Sequence, residues 1–338
     1  MDKFNFNSGL HIILFLVAGF CATSVKALEL IPLSVSPLNP FSINFTHLPA
    51  HIWKDLTDNK TEIDIRVEMG NFSIQSESAG EKIILDGEVY KSTLGYRYPL
   101  NNQLVGSISI PLIRYSSGFM DHGIEQWHDG FGLSNERRSG FGSNELHFEY
   151  LDNNVSQVKV ISSSGGLGDI NLGLSYQVQQ QREGQRGLAF NLDVKLPTGE
   201  VRNLMGNGAI DLGLSVHAIK NNLGEQANFS LTGALGVMLL GDGELLSQRQ
   251  KEISYAVYAG LHWMPVHKLL LSAQLHQQSS LFKSNLNELG KGATQLVIGC
   301  SVEMDSGQNI QVALGENLFT DASPDFSVLL SIQFNQRE

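Results

Sequence analysis

From about Thr61 to Phe334 the chain alternates, segment after segment, between apolar side chains and small or polar ones. The stretch 228–240 shows the rhythm: Phe229, Leu231, Gly233, Leu235, Val237 and Leu239 interleave with Ser230, Thr232, Ala234, Gly236 and Met238. Successive strand side chains point to opposite faces, so a period of two predicts strands with one apolar face and one polar or small face. Such segments fall at 62–75, 82–98, 103–115, 144–151, 155–161, 168–181 and 187–197. They continue at 208–221, 228–240, 253–264, 268–280, 292–304, 309–318 and 325–334. Most are near the roughly 10 residues that a tilted membrane strand needs. The pattern predicts an all-β fold, a transmembrane antiparallel up-and-down β-barrel of about 14 strands. If 144–161 is a single strand, an even count forces another strand to be split or lost, so 12 is the alternative. A soluble β-sandwich alternates too, but so many strands ending on an aromatic one suit a barrel better.

The connections test this count. Bacterial barrels alternate short periplasmic turns with longer extracellular loops. With a periplasmic start, short turns are expected at 99–102, 152–154, 182–186, 222–227, 265–267 and 305–308. The outer loops are then 76–81, 116–143, 162–167, 198–207, 241–252, 281–291 and 319–324, in nearly every case the longer ones. In the last strand Phe326, Val328, Leu330, Ile332 and Phe334 share one phase, leaving 335–338 as a short periplasmic tail.

The N-terminus adds an address. Lys3, the apolar run 10–20 and small Val25 and Ala27 read as a secretory signal peptide over 1–27. The next segment, 28–60, is broken by Pro32, Pro37, Pro40 and Pro49, yet carries Leu33, Leu38, Phe41, Ile43, Phe45 and Trp53. It is too apolar for a disordered tail and is expected to form a plug in the barrel 61–334, or a cap on its periplasmic mouth. The expected location is the outer membrane of a Gram-negative bacterium, after secretion to the periplasm. Cys300 alone remains after cleavage and reads as a small apolar residue. A net charge of −11 argues against nucleic-acid binding, which needs a basic surface.

Several strings carry a resemblance. Asn39-Pro40-Phe41, Leu85-Asp86-Gly87-Glu88, Leu94-Gly95-Tyr96-Arg97-Tyr98, the stretch from Gly118 through Trp127-His128, and Phe131-Gly132-Leu133 occur in order. Together they resemble the proteobacterial outer-membrane family catalogued as domain of unknown function 3187. Gly166-Leu167-Gly168-Asp169-Ile170, Lys195-Leu196-Pro197-Thr198-Gly199 and Gly206-Asn207-Gly208-Ala209-Ile210-Asp211 are similar to strand-end motifs of that family. They are also similar to barrels of phenol-degradation pathways. The resemblance implies a barrel in a membrane and supplies no activity.

The inward phase of the strands offers Asp169, Asn171, Gln177, Asp193, Lys195, Asp211, His217, His262, Gln274, His276, Glu303 and Gln311. These groups suit either a polar path for a solute or a satisfied network that fills the lumen, and Asp193 could pair with Lys195. In the loop 116–143, Asp121, His122, Glu125, Trp127, His128 and Asp129 cluster. The histidine spacing is not the His-Glu-x-x-His pattern of a zinc helix, so a lid packed on the barrel mouth is favoured, with no metal or cofactor. Tyr176, Tyr255 and Trp263, on the outward phase, fit interfacial girdles. No Gly-x-Ser-x-Gly elbow is present, and the chain is not expected to be an enzyme. The favoured role is a channel or facilitator for a small compound, hydrophobic ones included. A non-transporting structural or surface barrel with a closed lumen is the alternative, and a lipid-modifying enzyme comes third. Expected partners are outer-membrane lipids and lipopolysaccharide, the barrel-assembly machinery and an unknown small solute.

Overall fold

The structure is a computed structural model that describes residues 30–53, 56, 60–119, 145–179, 186–221, 223, 228–318, 322–324 and 326–336. The strands are β1 (Thr61–Ser78), β2 (Glu81–Pro99), β3 (Leu104–Ser116), β4 (His147–Asp152), β5 (Val155–Val160), β6 (Ser164–Leu167), β7 (Ile170–Gln179) and β8 (Arg186–Leu196). They are followed by β9 (Asp211–Lys220), β10 (Phe229–Leu239), β11 (Ile253–Val266), β12 (Leu269–Gln278), β13 (Ala293–Glu303), β14 (Gln308–Asn317) and β15 (Phe326–Gln336).

Twelve of these close an antiparallel ring in which β3 pairs directly with β7 and β15 returns to β1. Every one of the fourteen expected segments contains a strand, and the ring takes the alternative count of 12. The reason is local. At Gly87 (φ 132°) the free edge of β2 changes partner, from β3 below to β4 above. A Cβ at Gly87 would lie 2.8 Å from Leu146 and 3.1 Å from the Ser116 carbonyl, so only glycine fits this junction. β4 and β5 thus form a hairpin docked on β2 outside the ring, and β6 continues along β3.

The first and last strands meet at one rim, where Thr61 pairs with Gln336; this is the proximal end. Strands β2, β7, β9, β11 and β13 end there, each followed by a short link in the sequence, as the spacing predicts. The turn at 152–154 does not. Asp152 pairs with Glu81, and the Asn153 N–H donates to the Gly80 carbonyl (2.8 Å), so this turn sits at the distal end beside the β1–β2 turn. The segment 162–167, expected as a loop, contains β6 instead.

Facing is set by the two-residue period. Leu231, Leu235, Tyr255, Val257, Leu275 and Leu314 are exposed on the outside, whereas Ala234, His262, Ser272 and Gln311 are buried inside. This apolar outside and polar inside is the inverse of a soluble domain and matches a barrel in lipid. Among the described residues no helix is long and apolar enough to cross a membrane.

Candidate functional site

The lumen is occupied by residues 30–53. Leu30 and Trp53 bridge each other at the proximal end, packed with Ala189, Ile219 and Leu270. Between them the segment rises along β13–β15, where Leu33 meets Val297, Ala313 and Leu329. It reverses distally at Asn39-Pro40. The Asn39 side-chain oxygen accepts the Phe41 N–H (3.0 Å) and its carbonyl accepts those of Ser42 and Ile43 (both 2.9 Å). The Asn39 amide in turn donates to the carbonyls of Glu288 (3.3 Å) and Ala322 (3.2 Å) on two distal loops.

A backbone buried without a neighbouring strand must find partners elsewhere. Prolines lower the demand by removing donors, and wall side chains meet much of the rest. Gln311 donates to the Ile31 carbonyl (2.9 Å). Gln274, with its amide oriented to suit its neighbours, donates to the Leu33 carbonyl (2.9 Å) and accepts the Leu33 N–H (2.8 Å). Glu68 accepts from the Ser36 N–H (2.6 Å) and hydroxyl (2.9 Å), and Lys91 donates to the same hydroxyl (2.9 Å). Arg66 holds Ser34, and Asp211 accepts the Thr46 N–H (3.2 Å).

The wall around β1 and β2 is densely charged. Glu62, Asp64, Arg66 and Glu68 are successive inward residues of β1. Arg97, opposite Glu62 on β2, reaches Glu62 (3.5 Å) and Asp64 (3.9 Å), and Arg66 reaches Asp64 (3.4 Å). Sequence reasoning missed this stripe, although the alternation Glu-Ile-Asp-Ile-Arg-Val-Glu over 62–68 announces it.

The predicted lumen residues separate into groups. Asp169, Lys195 and Asp211 come together: Lys195 lies 2.7 Å from Asp169 and 3.4 Å from Asp211, and also donates to Asn207 and to the Ala209 carbonyl (2.8 Å). The expected pairing of Lys195 with Asp193 does not form. Asp211 stands directly across the strand pair from Lys195, where Cβ atoms are about 5 Å apart. Two residues along one strand are about 7 Å apart. His217 hydrogen-bonds Ser215 (2.9 Å) and Asn191 (3.2 Å). His262 bridges Thr232 (2.7 Å) and Ser272 (2.8 Å) on its two neighbouring strands, and His276 meets Gln274 (3.1 Å) and lies tilted against the Tyr258 ring. Glu303 lies apart from these, at the proximal end of β13. Asn171 and Asp193 line a cavity of about 120 Å³ between residues 34–52 with Leu56 on one side and the wall of β1, β2, β3, β7 and β8 on the other. Asp121, His122, Glu125, Trp127 and His128 lie outside the described residues.

The distal end carries an apolar core. Phe41 and Phe45 pack with Phe72, Ile83 and Leu85 of the projecting β1–β2 hairpin, with Phe148 and Tyr150 of β4, and with loop residues Leu204, Leu245 and Phe282. Phe45 meets Phe282 edge-on (centroids 5.4 Å apart). A polar clasp sits above this core. Glu81 accepts from the Tyr150 hydroxyl (3.0 Å), the Ser284 hydroxyl (2.5 Å), the Asn285 N–H (3.1 Å) and Arg249 (3.2 Å), and Arg249 also holds Asp152 (2.7 Å). Burial alone would raise the Glu81 carboxyl, but these hydrogen bonds and Arg249 together hold it below its ordinary value.

A twelve-stranded ring with a lipid-facing apolar belt and a lumen threaded by its own N-terminal segment defines the class: a transmembrane antiparallel β-barrel with an occupied lumen. The chain belongs to the family described as "Protein of unknown function (DUF3187)", whose sequence pattern matches residues 9–336. No curated protein sequence matches it. Its fold is similar to that of the COG4313 outer-membrane channel from Pseudomonas putida F1, with a TM-score of 0.55 over 82% of this chain and 96% of that one, at 14% identity. At that identity the likeness shows the fold alone. The KdgM porin overlays more loosely (TM-score 0.40, 10% identity, 81% and 98% covered). So does the P. putida toluene transporter TodX (0.35, 10% identity, 83% and 89%), and neither overlay carries an argument.

Proposed function

We propose that this chain is an outer-membrane channel or facilitator for a small compound, hydrophobic ones included, and that residues 30–53 act as its plug. On this reading it sits in the Gram-negative outer membrane among lipids and lipopolysaccharide, placed there by the barrel-assembly machinery. The observation that carries the proposal is the cavity between the N-terminal segment and the β1–β3, β7 and β8 wall. A lumen meant only to be filled could be filled by wall side chains. Here it holds a peptide tethered at many points by individual side-chain hydrogen bonds, which can be exchanged one at a time. The distal apolar core supports the second reading, a closed structural barrel, and one experiment separates them. The mature chain is reconstituted in planar bilayers and in liposomes beside a form lacking 28–60 and a milder Phe41→Ala form. Low or intermittent conductance that rises severalfold in both altered forms supports a plugged channel. Three silent, correctly folded barrels would reject it in favour of the structural reading.

A further inference from the structure

We propose that the lumen cavity is a binding site for a small primary ammonium compound, with Asp193 as its charge partner and His51 as a second acceptor. This deepens the channel reading and rests on the lumen being reachable by small solutes.

The charges around the cavity sort unevenly. Arg97 is engaged by Glu62 and Asp64, Arg66 by Asp64 and Ser34, and Lys91 by Ser36. Asp193 is left without an ion pair and meets the charge of Arg97 only at longer range. Its Oδ2 is shielded from solvent and has no hydrogen-bond partner among the described residues. An ionised carboxylate in such a place is costly unless a cation or donor reaches it.

The wall is hollow around this group. Gly173 and Gly213 flank Asp193 on the two neighbouring strands. A Cβ at Gly173 would stand 3.1 Å from Asp193 Oδ1 and collide with the Ser107 hydroxyl. Side chains on either flank would fill the space that the glycines leave over the carboxylate.

His51 supplies the second acceptor from the opposite side. The Ser175 hydroxyl donates to Asn191 Oδ1 (2.7 Å), so its oxygen faces His51 Nδ1 (3.1 Å) as an acceptor. That assigns the imidazole proton to Nδ1 and leaves Nε2 as an acceptor; Nε2 is buried with no hydrogen bond of good geometry among the described residues, although the Asn191 and Gln177 side chains lie beside the ring. Ser175 and Asn191 form the inward row next to Gly173 and Asp193, about 7 Å along the strands. An ammonium group offers three N–H donors and the missing charge. A carboxylate ligand would offer only acceptors to two acceptors, and each cation in the wall already has a partner. The cavity volume, about 120 Å³, limits the ligand to a few heavy atoms.

The test uses the full mature protein in detergent micelles, with ethylammonium as the probe and n-propanol and propionate as neutral and anionic counterparts. Binding is read by ligand-observed NMR, and folding of each form by heat-modifiable electrophoretic mobility. Ethylammonium is expected to bind in preference to both counterparts. Asp193→Asn should weaken it at least tenfold, Asp193→Glu should retain part of it, and His51→Phe should weaken it less than Asp193→Asn. Propionate or propanol binding as tightly as ethylammonium, or an unchanged affinity in folded Asp193→Asn, overturns the proposal. Liposome swelling with a neutral sugar, run in parallel on the mature chain, the form lacking 28–60 and Phe41→Ala, keeps the two readings apart, permeation being scored in any of the three. Amine binding without permeation rejects only the channel, permeation without amine binding rejects only this site, and failure of both rejects both.

Discussion

Lys195 shows how much a single residue holds. Its ammonium is almost fully buried and joins the entrance to β7, the 197–210 loop and β9. Asp211 then passes the connection to Thr46 in the lumen and to the Gly241 N–H (3.1 Å) in the β10–β11 loop. Replacing Lys195 by Met would strand two buried carboxylates, and breaking a buried pair from one side costs about 3–5 kcal/mol. Urea unfolding of Lys195→Met in micelles should show that loss, and adding Asp169→Asn should return part of it. An unchanged midpoint would mean the cluster carries no stability. Glu149 offers a pH test on the β4–β5 hairpin, outside the ring. Burial alone would raise its carboxyl, but bonds from Ser156, His147 and Lys159 outweigh this and hold it at about 2, against an ordinary 4.5. A carboxyl lowered by folding stabilises above its unfolded value, and the contribution is lost as pH falls through the folded one. The hairpin should therefore become progressively open to proteolysis between pH 4.5 and 2, read with an acid-active protease. In Glu149→Gln that pH dependence should flatten.

At the scale of elements, the junction at Gly87 decides whether the β4–β5 hairpin docks. Gly87→Ala would force a Cβ into Leu146 and the Ser116 carbonyl at a positive φ, a strain of about 1–3 kcal/mol. The expected result is faster hydrogen exchange in β4 and β5 with the ring unchanged; equal exchange would show that the junction tolerates a side chain. This junction is also where reading from sequence stops. A period of two marks 144–151 and 155–161 as strands correctly, but a ring strand and a docked hairpin share that period. The choice lies in whether they pair with β3 as ring strands or with the upper part of the free edge of β2, far away in sequence. β6 escapes notice because Ser164-Gly165-Gly166-Leu167 is short and rich in glycine. For the lumen, the inward phase of Asp169, Asp193, Lys195, Asp211 and the strand histidines is legible from alternation. Their partners are not, since the cross-strand register that places Asp211 opposite Lys195 is a property of the ring.

For the whole molecule, the barrel has two apolar surfaces with opposite destinations. One is the outer belt, where Leu235, Tyr255, Val257 and Trp263 are exposed for lipid to cover. The other is internal, where Trp53 is buried in the proximal core and Phe41 in the distal one. Hydrophobicity alone cannot tell these apart, because both kinds of residue are apolar. Alternation can, since Trp263 follows His262 on the outward phase whereas Trp53 lies in a proline-broken segment with no strand period. The two tryptophans therefore report separately on the architecture. In proteoliposomes made with brominated lipid, a form keeping only Trp263 should be strongly quenched, and a form keeping only Trp53 should retain most of its emission. Acrylamide entering from the aqueous side should reach Trp53 poorly while residues 30–53 occupy the lumen, and more readily in Phe41→Ala, where the distal anchor of that segment is cut. Strong lipid quenching of Trp53 would place the N-terminal segment against the bilayer and remove the basis for a plugged lumen. Acrylamide access unchanged by Phe41→Ala would instead show that the segment is fixed independently of its distal anchor.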